Sequence, residues 1–351
     1  MPAAKNSSGV RPSIHNVAAY AGVSIATVSK VMHGDKTVRP ENVKSVQNAI
    51  EALGYRINPL AADLRRGRRN LIGIIVPSYD DPYYASLIGA LEREAERRGY
   101  ALAATSSRNS EKRELELVGR MEDWRVSGVI LVPVKNENGP SARALNESEM
   151  AAVFIDNVTG GNGTETIAFD YHAAIRDIVA QTARLSHKRI LVSVQDQKSQ
   201  SQMRLASYLV EQLKAAVPGA DIQVLPSPSR REKLAEALAE IFGSAERPTL
   251  VLSFCELAIT LCLNVARRLE WHVPDDLSLF SFKPAAWMRA MEPAIGVVQL
   301  PIDNAAVTIM DTIFQKIENN ATASRDRLLP CKVDFGQSMT TPRERIRRKF
   351  G

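Results

Sequence analysis

IHNVAAYAGVSIATVSKVMHG, residues 14–34, reads as two short helices joined by a tight turn. Ile14, Val17, Ala18 and Ala21 recur at helical spacing and give the first helix one apolar face. Gly22-Val23 breaks it, with glycine where a left-handed backbone is tolerated, and Ser24 stands where an N-cap starts the second helix. Val28 and Val31 can then pack back on the first helix, and Ala18 and Gly22 are small enough for a close crossing. The outward face of the second helix carries Ser24, Ser29, Lys30 and His33, all hydrogen-bond donors. This is the build of a helix-turn-helix, whose second helix enters the major groove of DNA.

Charge points the same way. Residues 1–70 hold eleven Lys/Arg against four acids, a net of +7, while the whole chain carries +6, so residues 71–351 come to −1. Basicity confined to one fifth of the chain is the electrostatic footprint of a phosphate-binding module. The cluster Arg343, Arg345, Arg347, Arg348, Lys349 reads as a solvated tail. The start, MPAAKNSSGVRPS, has no apolar segment of the signal-peptide kind and reads as a disordered leader over residues 1–10. No apolar run approaches the roughly 20 residues of a membrane span, so a cytoplasmic location is expected, on the nucleoid when DNA is bound. Cys255, Cys262 and Cys331 are odd in number, far apart and set in apolar segments, and read as buried small hydrophobes rather than bridges or metal ligands.

From Leu71 onward, apolar strands alternate with amphipathic helices. LIGIIVP, YALAATSS, VSGVILVPV, AAVFIDNV, RILVSV, DIQVLP, TLVLSF and LSLFSF are separated by helices near 83–98, 110–124, 171–185, 201–215, 230–242 and 256–270. Near-continuous apolar strands between helices imply parallel sheets covered on both faces. So many βα units exceed one comfortable sheet, so two doubly wound lobes are expected, with a crevice at the carboxyl ends of the strands. There is no GxGxxG after a strand, no Walker loop, no GxSxG elbow and no His/Cys/Asp set at metal spacing. An enzyme is disfavoured, and neither a cofactor nor a metal is implied. His187, just before a strand, reads as structural.

AYAGVSIATVSKVMHG, the helix ending EALGY (51–55) and NPLAADLRRGRRNLIGIIVP (58–77) resemble the lactose-repressor family of bacterial transcription regulators. The likeness continues through DPYY (81–84), VSGVILVPV (126–134), HKRILVSV (187–194), VPDDLSLFSF (273–282) and VVQLPID (297–303). It implies a small all-α helix-turn-helix head on an α/β core of two doubly wound, periplasmic-binding-protein-like lobes. The expected division is a head at 11–57, a hinge helix and linker at 58–70 and the core at 71–351. The first lobe takes about 71–170 plus 301–325, and the second about 171–300 plus 326–351. The expected protein is a repressor, binding a pseudo-palindromic operator as a homodimer under control of a small molecule in the crevice.

By motif position the resemblance places Ile25, Ala26, Ser29 and Lys30 against base edges and Ser24, Thr27 and His33 against phosphates. Ile25 and Ala26 suit a thymine methyl, and Lys30 can donate to guanine. Ile25 has a second reading, as a core residue. Asn42-Val43 stands where the family has Thr-Arg, which removes one backbone contact. In the hinge, too short to be a stable helix alone, Leu64 falls at the family's minor-groove wedge and Arg65 begins a run of mutually repelling arginines that phosphates would relieve. A flexible basic linker is the alternative. For the crevice the resemblance implies Tyr83, Tyr84, Asn157, Asp170, Lys198, Gln200 and Arg204. Two positions depart from it: Cys255-Glu256 replaces Asn-Asp, and Ser281-Phe282-Lys283 replaces a Gly-aromatic-Asp. A cation at 283 beside Arg204 and Lys198 predicts an anionic effector such as a sugar acid, a sugar phosphate or a carboxylate, unless Glu256 neutralises Lys283 internally. Two rivals stay open: a DNA-binding regulator whose core no longer responds to an effector, and an enzyme on a related core.

Overall fold

The computed structural model describes residues 12–32, 35, 37–55, 69–134, 139–156, 165–195, 200–227, 230–318 and 326–343, with the side chains of Arg69, Gln195, Gln200 and Ser201 excepted. The chain divides into two compact units, Met1–Gly67 and Arg68–Gly351.

Among the described residues the first unit has three helices: α1 (Ile14–Ala21), α2 (Ile25–Met32) and α3 (Pro40–Leu53). Ser13 caps α1 through a capping box, accepting from the Asn16 N–H while Asn16 Oδ1 accepts from the Ser13 N–H at 2.9 Å. Gly22 ends α1 at φ 67°, a left-handed position that a β-carbon would strain. Ser24 Oγ then accepts from the Thr27 N–H at 3.1 Å and starts α2. Val17, Ala18, Val28, Val46 and Ala49 form the buried core. Each buried valine contributes about 1.5–3 kcal/mol, so a core this small leaves little margin.

The second unit holds two parallel sheets. The first contains β1 (Arg69–Val76), β2 (Ala101–Ser106), β3 (Val126–Leu131), β4 (Ala151–Ile155), β5 (Glu165–Asp170) and β11 (Arg327–Pro330), in the order β11-β5-β4-β3-β1-β2. The second contains β6 (Arg189–Gln195), β7 (Asp221–Ser227), β8 (Leu250–Ser253), β9 (Ser278–Ser281), β10 (Gly296–Gln299) and β12 (Lys332–Asp334), in the order β12-β10-β9-β8-β6-β7. Among the described residues only β12 is antiparallel to its neighbour. The first lobe's helices are α4 (Pro82–Arg97), α5 (Glu111–Asp123), α6 (Pro140–Glu147) and α12 (Ile302–Ile317). The second's are α7 (His172–Arg184), α8 (Gln200–Ala216), α9 (Arg231–Gly243), α10 (Glu256–Arg268) and the short α11 (Ala286–Ala290). Gly128 lets α12 settle on β3, since a β-carbon there would lie 2.8 Å from Ile313 Cγ1.

The doubly wound fold stands as expected, with seven elements added: β5, β10, β11, β12, α6, α11 and α12. Strand β5 is absent from the sequence reading because it opens on a charge, Glu165, which is buried and pairs with Arg327 Nε at 3.1 Å. The last crossing between lobes needs a correction: residues 327–330 pair with β5 in the first lobe, so the chain changes lobes at Cys331 rather than at 326. All three cysteines are buried free thiols, and burial pushes that of Cys331 up to about 12.

Candidate functional site

In the head, the packing of Val28 into the core turns the opposite face of α2 outward. Ile25 is 39% exposed and lies outside the core cluster, so its reading as a core residue fails. Ala26 and Lys30 are exposed beside it, and Ser29 is half-buried. Lys30 Nζ sits 4.0 Å from Asp35 Oδ2, a loose pair at the surface. The Thr37 hydroxyl and N–H, at 2.6 and 2.9 Å, hold the Asp35 carboxyl below its usual range. The Ser24 and Thr27 hydroxyls lie 2.9 Å apart, so the cap also orients two side chains expected at phosphates. His33, Leu64 and Arg65 lie outside the described residues. Tyr20, 62% exposed at the end of α1, was missed. Its signal was an aromatic ring off the apolar stripe of Ile14, Val17, Ala18 and Ala21.

The crevice is assembled from the carboxyl ends of strands in both sheets, which is where open α/β sheets place ligands. After β1, Asp81 caps α4, its Oδ1 accepting from the Tyr83 N–H at 3.0 Å. Tyr83 packs edge-on to Phe169 and against Tyr84, and its hydroxyl donates to Asp156 Oδ2 at 2.6 Å. Asp156 follows β4 in a left-handed conformation, φ 61°. Burial holds its carboxyl above the usual range, opposed by the Tyr83 hydroxyl and the Lys283 ammonium. Burial, reinforced by the Asp156 charge, pushes the phenols of Tyr83, Tyr84 and Tyr171 well up.

From the second lobe, β8 and β9 end in the same device. Ser253 donates to the Cys255 carbonyl at 2.8 Å and accepts from its N–H at 3.1 Å. Ser281 does the same for Lys283, at 2.8 and 3.2 Å. The intervening Phe254 and Phe282 stack at 4.1 Å. The two departures from the family pattern are thus held by one repeated turn on adjacent strands.

That geometry overturns the premise for an anionic effector. Lys283 Nζ donates to Asp81 Oδ2 at 2.9 Å, across the crevice, and lies 5.1 and 5.8 Å from the rings of Tyr83 and Tyr84. The cation is already neutralised, and Asp81 does it rather than Glu256, whose Oε1 accepts from Trp287 Nε1 at 2.7 Å. Arg204 is exposed on α8. Asp170, at the end of β5, accepts from the His172 N–H at 2.9 Å, which lowers its carboxyl below the usual range. His172 in turn packs edge-on to Tyr208 at 5.0 Å. Asn157, Lys198 and the Gln200 side chain lie outside the described residues. Tyr83, Tyr84 and Lys283 therefore come together, while Asp81 and Asp156, which join them, were missed. Asp81 was legible as the residue before the helix-starting proline, and Asp156 as the immediate neighbour of Asn157.

Two family descriptions match: "Bacterial regulatory proteins, lacI family" over residues 13–58 and "Periplasmic binding protein-like domain" over 179–339. Among curated relatives, catabolite control protein A of Priestia megaterium is 24% identical over 327 residues, spanning 93% of this chain and 98% of its own length. The HTH-type transcriptional regulator KdgR of Bacillus subtilis is 23% identical over 335 residues, with 93% and 97% covered. The crystal structure of the lac repressor dimer bound to operator and the anti-inducer ONPF shares the fold at a TM-score of 0.84 and 19% identity, covering 94% of this chain and all of that one. Among the described residues no helix is long and apolar enough to cross a membrane.

Proposed function

Because this chain belongs to the lactose-repressor family of bacterial DNA-binding transcription regulators, we propose that it acts as a repressor, gripping a pseudo-palindromic operator as a homodimer and answering to a small metabolite in the crevice between its lobes. The observation that carries the DNA half is the exposed face of α2, where Ile25, Ala26 and Lys30 stand out from a core closed by Val28. Apolar methyls beside one flexible cation suit thymine methyls and a guanine edge in the major groove. Ser24 and Thr27, with His33, are assigned to phosphates, and Leu64 and Arg65 to a hinge that orders on DNA and wedges the minor groove. The core is read as a binding module without catalysis.

Dimerisation is part of the proposal because one recognition helix reads few base pairs, and a two-fold symmetric operator would engage two heads. The effector half rests on the aromatic and carboxylate side chains that converge at the strand ends, among them Tyr83, Tyr84 and Asp156. A core that no longer answers to an effector is the second reading. One observation favours it: Lys283 already has an internal partner in the crevice.

Footprinting across the organism's DNA, followed by binding titrations on the protected sites, tests the proposal. Protection of two-fold related half-sites is expected, with affinity that moves when a metabolite panel is added. A protein that protects no site above bulk DNA overturns the reading, and affinity flat across the panel selects the second one.

A further inference from the structure

Lys283 and Asp81 belong to different lobes, yet they form one of the most enclosed ion pairs among the described residues, with 15% and 19% of their side chains exposed. Exposed pairs of this kind contribute little, because two long side chains must be ordered in water. Here the ordering is done in advance. Asp81 is fixed by its cap on α4, which uses its other oxygen, and the Lys283 backbone is fixed on both sides by Ser281. The ammonium also lies over two tyrosine rings, a position favoured by their electron-rich faces.

The first lobe's contribution is therefore a cage: Asp81 and Asp156 supply negative charge, Tyr83 and Tyr84 supply walls, and the Tyr83 hydroxyl orients Asp156. Such a cage is built for an ammonium. We propose that Lys283 is an inter-lobe latch, its ammonium filling a cation cage on the first lobe and holding the crevice closed before any effector arrives. Without the lysine, Asp81 loses its ammonium partner, the repulsion between Asp81 and Asp156 is left unopposed by that charge, and the lobes lose this polar tie. Asp156 is already held above its usual range by burial, and Lys283 is one of the two groups restraining that rise. The chemical class that fits the vacated cage is a primary ammonium, so an effector that opens the latch is expected to bring an amine of its own.

This inference rests on the reading of the crevice as an effector site only in that last expectation. The latch itself is measured in the ligand-free protein. Its failure would leave the effector reading standing, and a core blind to every metabolite would leave the latch standing.

All three native cysteines are buried, so single exposed positions on α5 and α8, Glu122→Cys and Glu211→Cys, can carry spin labels for a distance measurement between lobes. The full-length wild type is expected to give one short distance. Lys283→Ala should shift the closed-to-open ratio by about ten-fold, the order set by one charge-assisted hydrogen bond. Lys283→Met keeps the stem and guards against a merely misfolded variant; it should open the lobes equally while near-ultraviolet dichroism stays native. Ethylammonium chloride should restore the short distance in Lys283→Ala but not in Lys283→Ala/Asp81→Asn, and ethanol should restore it in neither. A short distance that survives Lys283→Ala and Lys283→Met overturns the latch. So does rescue by ethanol as strong as rescue by ethylammonium.

Discussion

The outward face of α2 and the wall of the crevice are both candidate binding surfaces, but they are built in opposite ways. On α2 one helix supplies everything: Val28 goes in, and Ile25, Ala26 and Lys30 therefore come out, with a loose 4.0 Å contact between the lysine and Asp35. The crevice takes Asp81, Asp156 and Lys283 from the ends of three strands in two sheets, and each has found a partner within the chain. A surface that must fit DNA keeps its donors available. A pocket that must stay folded while empty satisfies its charges internally, since an unpaired charge in a partly dry site is costly.

The largest effect is expected where the head's small core is broken. Val28→Asp places a charge among four other buried residues and should cost at least about 4 kcal/mol, unfolding the head. Heteronuclear spectra should lose the dispersed resonances of residues 12–55 while the core's melting temperature stays put. A core that melts earlier as well would break the comparison, because the two regions would no longer be independent.

In the core, His187 is fully buried at the start of β6, its Nδ1 2.9 Å from the Thr249 hydroxyl, and burial depresses its pKa to about 4. The unfolded imidazole titrates near 6.5, so between those values the unfolded chain binds more protons. Stability contributed by the neutral ring is therefore complete above about pH 6.5 and is lost as pH falls toward 4. The loss should reach about 3 kcal/mol. Urea unfolding of the core at a series of pH values checks this, with His187→Gln expected to flatten that part of the profile. An unchanged profile in His187→Gln would assign the acid sensitivity to other groups.

Lys30→Ala sharpens the comparison from the DNA side. It should relax preference at one base pair per half-site by about 1–3 kcal/mol while leaving the head's stability unchanged. Selection from a randomised half-site measures it, and an intact preference would remove Lys30 from the reading face. Ser13→Ala is the smallest change. Loss of the cap on α1 should lower head stability by about 1 kcal/mol, read as earlier loss of head resonances on heating. No change would mean that the Asn16 side chain carries the cap alone.

The same contrast explains what was legible. Helical periodicity decides which side of α2 is buried, so Ser29 and Lys30 could be placed outward from spacing, whereas only the family resemblance puts Ile25 there. The alternation of apolar strands and helices likewise announced two doubly wound lobes. Pairing across the crevice has no such local rule. Lys283 and Asp81 stand 202 positions apart, and only the topology of two sheets brings them within 2.9 Å. Reading Lys283 beside Arg204 and Lys198, without Asp81, made an unpaired cation of a satisfied one. Strand β5 was hidden for a related reason: the buried Glu165 is matched by Arg327, which arrives from β11, and by the nearby charge of Lys316 on α12.

The head is proposed to read a specific sequence through α2. The most direct test is a titration of full-length protein, by fluorescence anisotropy, against a footprinted site and against a scrambled duplex of equal length at matched salt. A preference of at least about 10³-fold for the footprinted site is expected, abolished by Val28→Asp and reduced at one position per half-site by Lys30→Ala. Equal affinity for the two duplexes, or a preference untouched by both substitutions, would contradict the proposal.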